Sequence, residues 1–175
     1  MNKPEPETAP PPPVAAKRFR FADLTSGFTL YETLVAVAAI GILSSIALPQ
    51  LFLSVQRGRQ RKTMADIRAL SAAVEAYFVD TTLYPAAGYA PLNLADCSAI
   101  QAKVSPTYIK NFPGKDGWGS SIYYGTNAVH SEYQIASYGA DGASTLTSTG
   151  KTSDFWDDIV FENGFFTVYP AGTQQ

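Results

Sequence analysis

The chain has 175 residues, room for one domain and an appendage. Its 13 basic and 15 acidic residues nearly cancel, and past Lys62 acids outnumber bases, the reverse of the balance a nucleic-acid-binding domain carries. The single cysteine, Cys97, excludes an internal disulfide framework.

Residues 1–26 read as a leader. The stretch MNKPEPETAPPPPVAAK is rich in Pro, Glu and Ala, cannot bury a core and is predicted to be disordered. Lys17, Arg18 and Arg20 then supply a charged region ahead of an apolar run. A secretory cleavage site would follow such a run, yet the small residues Ser26 and Gly27 precede it.

From residue 28 to 56 the only charge is Glu32. About 20 apolar residues cross a bilayer, so this segment is long enough to span one. Gly41 and Pro49 suit a membrane helix, where both are tolerated better than in water. The alternative is a buried helix of a soluble protein, but a domain this small has little with which to cover a helix on every face. Lys17, Arg18 and Arg20 lie before the span and Arg57, Arg59, Arg61 and Lys62 after it, so charge alone does not orient it.

Beyond Arg57 the pattern becomes amphipathic. Met64, Ile67, Leu70, Val74, Tyr77 and Phe78 recur at helical spacing among Asp66, Arg68 and Glu75. One long helix over 28–79 is therefore predicted, its first half fit for a membrane and its second half presenting one stripe to a soluble domain. Tyr84-Pro85 marks the turn that follows. A short helix is predicted over 94–103, then strands over 121–124, 132–137, 158–162 and 165–169. Asn163-Gly164 joins the last two as a hairpin, since both residues tolerate positive φ. The fold class is α+β: a long N-terminal helix on a small antiparallel sheet.

Gly27, Phe28, Thr29, Leu30, Tyr31 and Glu32, behind a basic leader, resemble the class III signal of type IV pilins and of the pseudopilins of type II secretion. Gly41 and Pro49 fall where that family has its helix-loosening residues. The resemblance implies the pilin fold. It also implies a prepilin peptidase that removes residues 1–27 by cutting between Gly27 and Phe28, then N-methylates Phe28. The mature chain would hold a hydrophobic filament-core helix over 28–56 and a globular part with the amphipathic helix over 57–175. Glu32 would pair with the Phe28 amine of a neighbouring copy, a buried acid satisfied only in the assembled filament. Snorkelling to the interface near a helix N-terminus is the simpler alternative for this acid. Pro49 has no N–H to offer the Ser45 carbonyl, and the segment from Gly41 to Pro49 is partly unwound in filaments of the family.

The resemblance continues in the soluble part. KDGWGSSIYY is similar to the Asp-Pro-Trp-Gly pattern of the major pseudopilin, with Gly117 where that pattern has proline. IASYGADG and WDDIVFENG resemble its Ser-x-Gly-x-Asp-Gly and Asp-Asp-Ile segments, although the loop over 143–153 is longer and Phe155-Trp156 replace an acidic run. In that family this region holds calcium, which would make Asp141, Asp157 and Asp158 its carboxylate ligands. Calcium takes hard oxygen donors from flexible loops, whereas an ordinary acidic turn is the plainer reading.

No catalytic constellation competes, so an enzyme is not expected. Gly114, Gly117 and Gly119 form no dinucleotide fingerprint, and the only histidine, His130, is expected at the surface at the start of a strand. Three functions stay open: a pseudopilus subunit of type II secretion, a pilin of a surface pilus for adhesion, motility or DNA uptake, and a membrane-anchored domain that does not polymerise. The lone cysteine favours the first, because many type IVa pilins close a C-terminal loop with a disulfide. The first implies a single-pass inner-membrane protein with its C-terminal domain in the periplasm. Its partners would be copies of itself, minor pseudopilins, the peptidase and an inner-membrane assembly platform, with no nucleic acid.

Overall fold

The computed structural model describes residues 27–90, 93–145 and 150–171. The disorder expected of residues 1–26 lies outside them. Helix α1 (Leu30–Thr81) matches the long helix read from the sequence. Thr29 caps it, its hydroxyl accepting the Glu32 N–H at 3.2 Å. Thr82 leaves the helix at φ 62, and Pro85 cannot continue it.

The chain divides into two units between Leu43 and Ser44. In the first, every described residue from 27 to 43 is exposed. In the second, α1 buries Gln60, Thr63, Ile67, Leu70, Ser71, Ala73 and Val74, a stripe at three- and four-residue spacing.

That stripe covers a six-stranded sheet. The strands are β1 (Ala95–Asp96), β2 (Tyr123–Thr126), β3 (Tyr133–Ser137), β4 (Gly150–Thr152), β5 (Ile159–Glu162) and β6 (Phe165–Pro170), in the order β1-β2-β3-β5-β6-β4. Helix α2 (Ser98–Val104) follows β1. The inner face brings Tyr124, Tyr133, Ile135, Ile159 and Phe161 onto Ile67, Leu70 and Val74, with Ile100 and Val104 of α2 in the same core. Each such aliphatic side chain, fully buried, contributes about 1.5–3 kcal/mol. Strand alternation sends Ala136, Val160 and Val168 to the other face, against Leu94 and Tyr138.

Polar bonds tie helix to sheet as well. The Tyr133 hydroxyl donates to Glu75 Oε1 at 2.6 Å, and Tyr84 stacks on Phe78 and tilts against Tyr133, with centroid separations of 4.4 and 4.7 Å. The hairpin forms as predicted, with Asn163 at φ 45 and Gly164 at φ 97.

The sheet departs from the expected pattern in three places. First, it is mostly rather than wholly antiparallel: β4 pairs in parallel with β6, Gly150 opposite Val168. A parallel neighbour needs a long connection, and β5 with its hairpin supplies one. Second, β2 begins at Tyr123 rather than at residue 121, because residues 115–121 close on themselves through a Lys115–Ser121 bridge. Third, α2 begins at Ser98 rather than at residue 94. The Asp96 carboxylate accepts the Ser98 N–H at 2.8 Å, which leaves Ala95 and Asp96 to pair with β2.

Candidate functional site

Two regions carry the residues singled out by the sequence. The first is the start of α1. Gly27 and Phe28 precede the helix, and Phe28 is 76% exposed. Glu32 stands in the first turn, where the helix dipole and the free backbone N–H groups favour an anion. Gly41 lies within the helix with open space around it. Pro49 also lies within α1, and the helix continues through it. The apolar window of α1 is long enough to cross a membrane, and none of it is buried within the chain.

The second region is the loop system at one end of the sheet. Asp116 is its organiser, at 3% exposure. Its Oδ1 accepts the N–H groups of Trp118 and Ser120, each at 2.9 Å, and its Oδ2 accepts the Ser137 hydroxyl at 2.8 Å. The turn so formed lies directly on α1. Gly117 donates its N–H to Thr63 Oγ1 at 2.9 Å, and a Cβ at Gly117 would stand 2.1 Å from the Arg59 carbonyl oxygen. Trp118 Nε1 donates to Gln56 Oε1 at 2.7 Å. Gln56 and Thr63 were not anticipated as partners; the available signal was their polarity on a helix otherwise turning apolar residues inward.

Pairing of β3 with β5 brings the loops after Ser137 and before Ile159 side by side. Ala140 donates its N–H to the Phe155 carbonyl at 2.9 Å, and a Cβ at Gly139 would stand 2.4 Å from the Trp156 carbonyl oxygen. Asp141, Asp157 and Asp158 therefore share one neighbourhood. Asp158 is 3% exposed. Its Oδ2 accepts the Thr145 N–H at 2.8 Å, while its Oδ1 is buried with no hydrogen-bond partner among the described residues. Burial first, then the charges of Asp141 and Asp157, raise its pKa above the ordinary carboxylate value. Asp141 Oδ1 accepts the Ala143 N–H at 3.0 Å, and Asp157 Oδ2 accepts the Asp154 N–H at 3.2 Å. Among the described residues no three acid, His or Cys side chains converge as a ready metal cage. The orphaned Asp158 oxygen and the hard-oxygen character of the three acids nevertheless fit a cation such as calcium.

Two other residues carry no chemistry of this kind. Cys97 is fully buried, and burial, with the nearby Asp96 charge, pushes its thiol up to about 12. His130 sits in the turn before β3 at φ 55, half-buried rather than on the surface, with Nδ1 2.9 Å from the Thr126 hydroxyl.

A long N-terminal helix with an exposed apolar first half, joined to an α+β domain through its second half, defines a pilin-like protein. Residues 50–155 match the family model for "Type II secretion system (T2SS), protein G". The chain is similar to the type II secretion system core protein G of Vibrio cholerae, 31% identical over 144 residues that cover 75% of this chain and 92% of the relative. The Escherichia coli K12 protein of that name is 30% identical over 70% of this chain and 87% of its own length. The Pseudomonas aeruginosa protein is 29% identical over 76% and 96%. This chain belongs to the type II secretion system protein G family.

Proposed function

We infer that the chain is a structural subunit that polymerises into the pseudopilus of a type II protein secretion system. The observation that carries this reading is the family match over residues 50–155, attached to a helix whose apolar window is fully exposed. An apolar surface of that length on a monomer requires a bilayer or a filament interior to cover it.

On this reading residues 28–56 anchor the subunit in the inner membrane in a single pass and later form the filament core. Residues 57–175 project into the periplasm. A prepilin peptidase cuts between Gly27 and Phe28 and methylates the new amine. Glu32 pairs with the Phe28 amine of a neighbouring copy, while Gly41 and Pro49 let the core helix loosen in the filament. The subunit assembles with copies of itself and with minor pseudopilins on an inner-membrane platform. It performs no catalytic step.

Asp141, Asp157 and Asp158 would hold a calcium ion. The support is the Asp158 Oδ1 left without a partner among the described residues, and the burial, with the lesser charges of Asp141 and Asp157, that raises its pKa. Bound there, a divalent cation would neutralise the three acids and tie residues 139–145 to residues 154–158.

The test is deletion and complementation in the host. Loss of the gene is expected to abolish type II secretion, and the intact chain to restore it with a mature N-terminus at Phe28 by mass spectrometry. Unimpaired secretion without the gene would refute the reading. A mature chain that starts beyond residue 45 would replace the processing site with an ordinary secretory signal.

A further inference from the structure

On the outer face of the sheet, Gln134 of β3 stands opposite Glu162 of β5. Glu132, just before β3, lines the same cavity as this pair. The Gln134 amide nitrogen donates to Glu162 Oε1. That bond fixes the amide so that its oxygen points the other way. Gln134 is only 5% exposed, yet its Oε1 has no hydrogen-bond partner among the described residues. A cavity of about 220 Å³ opens here, lined by Glu132, Gln134 and Glu162, with Asn127 and Asn163 at its margin.

The wall of this cavity is rich in acceptors. Asn127 spends its side chain on the local turn, accepting the Ser131 N–H and donating to the Ser131 hydroxyl, each at 2.9 Å, with a longer bond of 3.4 Å to Glu132. Asn163 Oδ1 is held by the Tyr133 N–H at 3.0 Å. Glu132, Glu162 and the Gln134 amide oxygen line the space, with one oxygen of each carboxylate already accepting an amide N–H. Such a set asks for a cation that brings several N–H donors. Bare calcium takes about six to eight oxygens, more than these side chains supply. A planar guanidinium offers five donors in a fork that matches carboxylate geometry.

The chain also carries the complementary group. Arg59 and Arg61 are exposed on α1 and have no ion-pair partner among the described residues, where the pair found is Lys62–Asp66 at 3.1 Å. We propose that the cavity beside Gln134 receives an arginine guanidinium from the basic segment of α1 in a second copy of this chain. Glu162 and Glu132 clamp the head group, and Gln134 Oε1 accepts one of its N–H donors. The choice of a second copy rests on the pseudopilus reading, since only an assembly repeats the basic segment beside the acidic cavity.

The experiment has two arms. In the first, the full chain in detergent micelles is titrated with N-acetyl-arginine amide while the Gln134 side-chain amide resonance is followed by NMR. Saturable binding is expected, and Glu162→Gln should weaken it by about tenfold or more. A titration indifferent to Glu162→Gln overturns the pocket. In the second arm, filament yield is measured in cells. Glu162→Arg is expected to lower it, and Arg59→Glu with Arg61→Glu in the same chain to restore it. Absence of rescue overturns a second copy as the source of the arginine. If the parent chain forms no filament at all, the pseudopilus reading fails, while the titration still decides the pocket.

Discussion

Gly117 replaces the proline of the related motif, and the structure gives the replacement a physical basis. Its N–H bonds Thr63, and a side chain there would run into the Arg59 carbonyl. Gly117→Pro is therefore expected to destabilise the domain by about 2–4 kcal/mol, through a lost hydrogen bond and an overpacked contact, read as a lower melting temperature. Asp158 makes the opposite kind of prediction. Its pKa is raised in the folded chain. Between the ordinary carboxylate value and that raised value the folded state holds more protons than the unfolded one. Without calcium, stability should thus fall as pH rises through that window, with the full penalty present above the raised value. Asp158→Asn should flatten this slope and raise the melting temperature in chelator. In calcium the parent should gain stability and the variant should not, because an ion that binds only the native state stabilises it by mass action. A slope unchanged by the substitution would show that Asp158 is not its source. Glu32 is tested by assembly rather than stability: Glu32→Ala should leave cleavage intact and cut filament yield several-fold. Of these residues, Glu32 and the acids were singled out by motif alone. The role of Gly117 was not, because the groups that constrain it lie far back in α1: the Thr63 hydroxyl, 54 positions away, and the Arg59 carbonyl, which leaves no room for a Cβ.

At the scale of elements, the second half of α1 is both helix and core wall. Its buried stripe begins at Gln60, but its first bond to the loops is made by Gln56 to Trp118. A soluble fragment that lacks residues 1–57 should fold, since the Ile67–Val74 contacts and the sheet are intact. A fragment that begins at residue 52 should fold more stably, by about 1 kcal/mol or a few degrees in melting temperature, because it retains that hydrogen bond. Equal melting temperatures would remove Gln56 from the account. The bond between Tyr133 and Glu75 fastens β3 to the same helix, and Tyr133→Phe is expected to cost about 1 kcal/mol in either fragment. Helix periodicity and the Asn163-Gly164 turn made α1 and the β5–β6 hairpin readable. The strand β4 was not, because its three residues carry no alternation and their pairing with β6 is imposed from across the loop.

For the whole molecule, one chain combines a helix that needs an apolar surrounding with a domain that needs water. Membership of the protein G family makes it a pseudopilus subunit, and the exposed apolar half of α1 is a candidate membrane anchor. The sequence by itself determined the bilayer-length run with its lone acid, the amphipathic continuation and the α+β class. All of these are written in neighbouring residues, where periodicity and local chemistry act directly. Only the tertiary structure decided which polar groups meet. The β3–β5 register sets Gln134 against Glu162 and leaves one amide oxygen over a cavity without a partner among the described residues. The same pairing gathers Asp141, Asp157 and Asp158 and buries one of them with no partner for its Oδ1 among the described residues. The stripe of α1 places Gln56 and Thr63 under a turn built around Asp116, 62 and 54 residues along the chain from the groups they bond. A hydrogen bond acts only over about 3 Å, so no local pattern records its partner until packing of the apolar stripe on the sheet has brought the two together.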